Sequence, residues 1–136
     1  MNEQDPTELE EKYHDVNAMI SMAVIEKEAA YLDGLIQRYA NQPDEKSFFE
    51  FRKESLEFSK ETIETNISTG VTTPESYVAD LKQYLQDTKN LMLDAAKSLG
   101  ATSEHAQRLK QRVLTIQGEI AEIESGAEEQ EQAQAA

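Results

Sequence analysis

The chain has no cysteine, which excludes disulfides, thiolate catalysis and cysteine-built metal sites. It has only three prolines and five glycines in 136 residues. So few helix breakers, beside abundant Ala, Glu, Leu, Lys and Gln, point to an all-helical protein. Basic residues are scarce as well: 13 against 27 acidic ones leave a formal net charge of -14. That balance repels nucleic acid and acidic membrane surfaces alike. The acidity reads first as solubility and second as steering of a basic partner. No apolar run approaches the roughly 20 residues needed to span a bilayer. The acidic, polar stretch from Met1 to Glu11 is the opposite of a targeting segment. A cytoplasmic or nuclear setting follows by elimination, with cytoplasmic as the expectation.

What is present is helical periodicity. Val78, Leu81, Leu85, Thr88, Met92, Ala95 and Leu99 recur at steps of three and four. Ala106, Leu109, Val113, Ile116, Ile120 and Ile123 do the same. Each set falls on one stripe of an α-helix, the seam that helix-on-helix packing requires. Between them stand Gly100, Ala101, Thr102 and Ser103, a left-handed stop followed by capping hydroxyls. Two stripes joined so tightly fold back as an antiparallel hairpin.

Upstream, residues 1–6 read as a frayed N-terminus and 7–41 as one long helix. Leu9, Tyr13, Val16, Ile20 and Val24 form one apolar row; Met22, Ile25, Ala29, Leu32, Ile36 and Tyr39 form a second. Gly34 lies inside this pattern, so the helix either bends there or overhangs its neighbours. Asn41, Gln42 and Pro43 break the pattern, with Asp44 as the cap of a helix over 45–69. All four phenylalanines fall in this helix, at 48, 49, 51 and 58, and read as core filling before partner docking. Gly70 suits the left-handed residue after it. Thr72 or Thr73 caps the next helix, and Pro74 takes its first turn.

The expectation is therefore an all-α fold, an antiparallel up-down bundle of four helices. Three are matched at roughly 35–39 Å, and the first, near 52 Å, is longer. The bundle spans 7–125, and 126–136, all Glu, Gln, Ala, Ser-free and Gly-led, is expected to be a disordered acidic tail.

No catalytic, cofactor or metal site is expected. There is no Gly-rich phosphate loop and no Gly-x-Ser-x-Gly elbow. A carboxylate-bridged di-metal bundle is the remote alternative, and it needs Glu-x-x-His on two helices. Glu11 and His14 supply one such pair, but Thr102 stands three positions before His105. Both histidines read as surface residues. The candidate partner-binding residues are Tyr77 and Tyr84, which flank the hairpin seam, and the basic group Arg108, Lys110 and Arg112.

The run Thr69-Gly70-Val71-Thr72-Thr73-Pro74-Glu75-Ser76-Tyr77, then Leu81-Lys82, a glycine turn and Glu119-Ile120-Ala121-Glu122-Ile123, resembles coiled-coil segments of coiled-coil and C2-domain scaffold proteins. The likeness covers the C-terminal half and implies a scaffold piece without catalytic residues. The expected function is a non-enzymatic protein-interaction or scaffolding module whose protein partner offers a helix. The alternative is a structural coiled coil that homodimerises through the hairpin or the overhanging first helix.

Overall fold

In the computed structural model, backbone is described over residues 6–135 and side chains over 7–126. Of the frayed start expected at 1–6 only Pro6 is described, as the first residue of α1, whereas the backbone over 126–135, expected to be a disordered tail, continues α5 as helix. All regular elements are helical: α1 Pro6–Tyr13, a 3-10 turn Val16–Ala18, α2 Met22–Arg38, α3 Pro43–Ser68, α4 Pro74–Leu99 and α5 Glu104–Ala135. The all-α helical class expected from the sequence is the one observed, with five α-helices in place of four. None of these helices is long and apolar enough to cross a membrane, among the described residues. The chain divides into two units, Met1–Thr69 and Gly70–Ala136.

The extra helix comes from a break that periodicity does not show. The stretch read as one helix over 7–41 stops at Tyr13 and resumes at Met22. Two short polar side chains compete with the helical backbone there. Asp15 adopts an extended conformation (φ −61°, ψ 110°), and its carboxylate accepts from Asn17 N–H at 2.9 Å. Ser21 is extended and fully buried, and its Oγ accepts from Val24 N–H at 3.1 Å, which caps α2. The segment between stays tied down because Val16 and Met19 are buried. Gly34 is not the bend. It sits exposed inside α2, and a Cβ placed on it meets nothing within 4 Å.

In the first unit α2 and α3 are antiparallel. Lys53 reaches Asp33 at 2.6 Å and Lys60 reaches Glu26 at 3.4 Å, so advancing a heptad along α3 means retreating a heptad along α2. Ile25, Leu32 and Leu35 of α2 and Phe49 and Leu56 of α3 are buried. The Tyr39 and Phe49 rings meet at 5.3 Å between centroids near the connecting turn. α3 begins at Pro43, capped by the backbone geometry of Gln42 without a side-chain bond, so Asp44 lies inside the first turn.

In the second unit α4 and α5 form the expected hairpin. Gly70 (φ 81°) precedes it and Gly100 (φ 99°) ends α4, both in the left-handed region glycine favours. Thr73 and Ser76 cap α4 reciprocally: Ser76 N–H donates to Thr73 Oγ1 at 3.1 Å and Thr73 N–H to Ser76 Oγ at 3.0 Å. On α5 the buried row Ala106, Leu109, Val113, Ile116 and Ile120 is the one expected. On α4 the buried row is Tyr77, Leu81, Tyr84, Thr88 and Ala95. Val78, Leu85, Met92 and Leu99 are only half-buried, so the stripe turns about one residue toward the tyrosines. Two aromatic rings bring more apolar area to cover than the aliphatic residues beside them.

Gly34→Ala removes backbone freedom from the unfolded chain without creating a clash. It is expected to raise stability by about 0.5–1 kcal/mol, read by urea denaturation. Leu32→Ala or Leu109→Ala empties a site with no solvent exposure, and each is expected to cost about 2–5 kcal/mol in the same assay.

Candidate functional site

α3 carries the site because its side chains divide among several directions. At about 100° per residue, Phe49, Arg52 and Leu56 fall on one row, and all three are buried. Phe51 and Phe58 lie a heptad apart on nearly the opposite side. They are 69% and 72% exposed. Expecting all four phenylalanines in the core is thus correct for Phe49, partly correct for half-buried Phe48, and wrong for the other two. The reason is angular: positions 48, 49, 51 and 58 spread over too much of the helix circumference for one contact stripe.

Arg52 turns inward and secures the end of α1. Its Nη2 donates to the carbonyl of Glu10 at 3.2 Å and to that of His14. Both lie at the C-terminus of α1, where positive charge is favoured; the Glu10 carbonyl also accepts from His14 N–H at 2.9 Å, while the His14 carbonyl lies past the last helical residue. The guanidinium also lies over the Phe48 ring, 5.3 Å from its centroid. A charge that is 6% exposed is held here by backbone acceptors and an aromatic face.

The outward side of the same stretch is a cleft of about 600 Å³, lined by Glu11, Asp15, Val16, Asn17, Phe48, Phe51, Arg52 and Ser55. Further along α3 a smaller hollow of about 280 Å³ is lined by Phe58, Glu61, Thr62, Thr65 and Asn66. Phe51, Ser55, Phe58, Thr62 and Thr65 therefore trace one continuous strip of α3. Glu50, Glu54, Glu57 and Glu61 run along its flank, all exposed. The Lys53 ammonium sits on the other side and stays protonated to higher pH than a free lysine. The cause is first its hydrogen bond to Asp33, helped by the charges of Asp33 and Glu57 and opposed by desolvation.

The residues named from sequence fare differently. Tyr77 and Tyr84 are buried, 8% and 9% exposed, rather than displayed. Tyr77 Oη donates to Glu119 Oε2 at 2.6 Å, an internal bond of the hairpin. Arg112 is buried, Arg108 is half-buried and Lys110 is exposed. Arg108 and Arg112 share a face, whereas Lys110 is roughly 200° away from each, so the three make no common basic surface. Glu11 and His14 are not a helical pair either. α1 ends at Tyr13, Glu11 is exposed, and His14 has no exposure at all, contrary to its reading as a surface residue. His105 is half-buried. The sequence carried a usable signal for Arg52: a cation at steps of three and four between Phe49 and Leu56 must either be exposed with them or be satisfied inside.

Compared with known proteins, the chain matches no protein-family model, no curated protein and no solved structure.

Arg52→Ala takes a donor from the His14 carbonyl and the second of two donors from the Glu10 carbonyl. It is expected to cost about 1–3 kcal/mol and to speed hydrogen exchange in α1 and 14–21 before the rest of the unit. Arg52→Lys restores charge without the planar fork, so it is expected to recover only part of this loss. Phe51→Ser and Phe58→Ser, at exposed positions, are expected to change stability by no more than about 0.5 kcal/mol, measured by thermal and urea unfolding.

Proposed function

We propose that the protein is a non-enzymatic interaction module of the scaffold kind, working through α3. The observation that carries this reading is the pair Phe51 and Phe58, exposed one heptad apart on a helix whose other face buries Phe49, Arg52 and Leu56. Exposed aromatic rings in line, beside clefts of about 600 and 280 Å³, have the character of interface anchors. The unit beneath them is braced by the Lys53–Asp33 and Lys60–Glu26 pairs and by Arg52, so the surface is presented preformed. A cytoplasmic setting and a role in assembling other proteins accompany this reading.

Self-association is the second reading, favoured by the same exposed rings. The two are separated by light scattering on the eluting protein at micromolar concentration. A monomer is expected, and a stable dimer that the Phe51→Ser/Phe58→Ser double variant dissolves would transfer the surface to a homodimer. Affinity capture from a lysate of the source cells, wild type against that double variant, is expected to lose specific bound proteins while the melting temperature holds. Identical captured sets would remove α3 as the working surface.

A further inference from the structure

The charges around the α3 strip are sorted, and the sorting names a partner. Lys53 and Lys60 recur at a heptad on the side that faces α2, where each meets an acidic residue of that helix. The glutamates at 50, 54, 57 and 61 collect along the flank of the strip carrying Phe51 and Phe58, and the charge of Glu57 also acts on Lys53. At the N-terminal end of the strip, the large cleft adds the exposed carboxylates of Glu11 and Asp15. The aromatic anchors therefore stand in a negative frame, on a chain whose net charge is already -14.

We infer that this strip binds a basic amphipathic helix of another protein: two apolar side chains a heptad apart dock beside Phe51 and Phe58, and Lys or Arg on its flanks face the glutamates. The inference rests on the interaction-module reading and deepens it by stating the partner's chemistry. A helix suits the site because Phe51 and Phe58 are separated by about 10 Å along a straight axis, the repeat at which a second helix presents its own i and i+7 positions. The frame disfavours the other occupants. A second copy would bring its own glutamate row and its own excess of negative charge against the first. Nucleic acid and acidic lipid are repelled by the same field. A cationic helix instead gains attraction over the whole approach and apolar burial on contact.

The test uses the full chain and fluorescently labelled helical peptides of about 20 residues, read by anisotropy. Three peptides share one leucine stripe and carry Lys, Gln or Glu at the remaining positions. A fourth has the Lys composition with the stripe scrambled. The Lys peptide is expected to bind at least ~10-fold tighter than the Gln peptide and to weaken as salt rises from roughly 50 to 200 mM. Phe51→Ser/Phe58→Ser is expected to lose at least ~10-fold of this binding, and Glu54→Lys/Glu61→Lys a comparable factor, with both variants melting like wild type. Equal binding of the Gln or Glu peptide, lost in the phenylalanine variant, overturns the basic partner and leaves the module reading standing. Equal binding of the scrambled peptide, or of the Lys peptide to the phenylalanine variant, shows diffuse charge attraction and overturns the inference too. If no peptide shows phenylalanine-dependent binding, the helical partner falls, and the lysate capture decides separately whether the module reading falls with it.

Discussion

The guanidinium of Arg52 is the constraint around which the first unit is arranged. It satisfies the carbonyls of Glu10 and His14 and lies over Phe48. It adds a second donor to the Glu10 carbonyl, which already accepts from His14 N–H at 2.9 Å, and gives the His14 carbonyl beyond the end of α1 a donor. It also fixes the rotation of α3. With Arg52 turned inward between Phe49 and Leu56, the strip of Phe51 and Phe58 has to face outward. Helix termination, core packing and surface display are thus three consequences of one side chain's direction. A buried cation is an expensive way to end a helix compared with a polar cap. In exchange it links two segments far apart in sequence and sets α3 in one orientation.

The two units rest on different physics. The α4–α5 hairpin is built from local signals: a reciprocal Thr73–Ser76 cap, a left-handed Gly100 and two regular apolar rows. Its connection is short, and its polar contacts, such as Tyr77 with Glu119, join residues within one supersecondary element. The first unit depends as well on a pairing outside any two-helix hairpin, that of Arg52 in α3 with the end of α1.

This difference explains what could be read from the sequence. The hairpin, its turn, the cap at Thr73 with Pro74 and the buried row of α5 were legible because each residue choice agrees with the next. The rotation of α4 by about one residue was not, since two adjacent rows were both apolar and only the size of Tyr77 and Tyr84 decided between them. The break over 14–21 was hidden by apolar residues that keep helical spacing on both sides of it. Asp15, Asn17 and Ser21 were the only sign, and such residues also occur on solvated helix faces. The site was the least legible part. An aromatic cluster on an amphipathic helix is usually core, and only the angular spread of positions 48, 49, 51 and 58 hinted that it had to split. Tyrosines and arginines of the second half drew attention as partner-binding candidates flanking the seam, and most of them pack.

The reach of the Arg52 contacts has a consequence for synthesis. The carbonyls it serves lie 38 and 42 positions earlier in the chain. At translation speeds of roughly 5–20 residues per second, the end of α1 waits about two to eight seconds for its donor to be made. During that interval the first helix is an isolated peptide of eight residues, too short to persist in water. On a nascent chain the contacts of Arg52 with this segment therefore form only once the first half of α3 has been made.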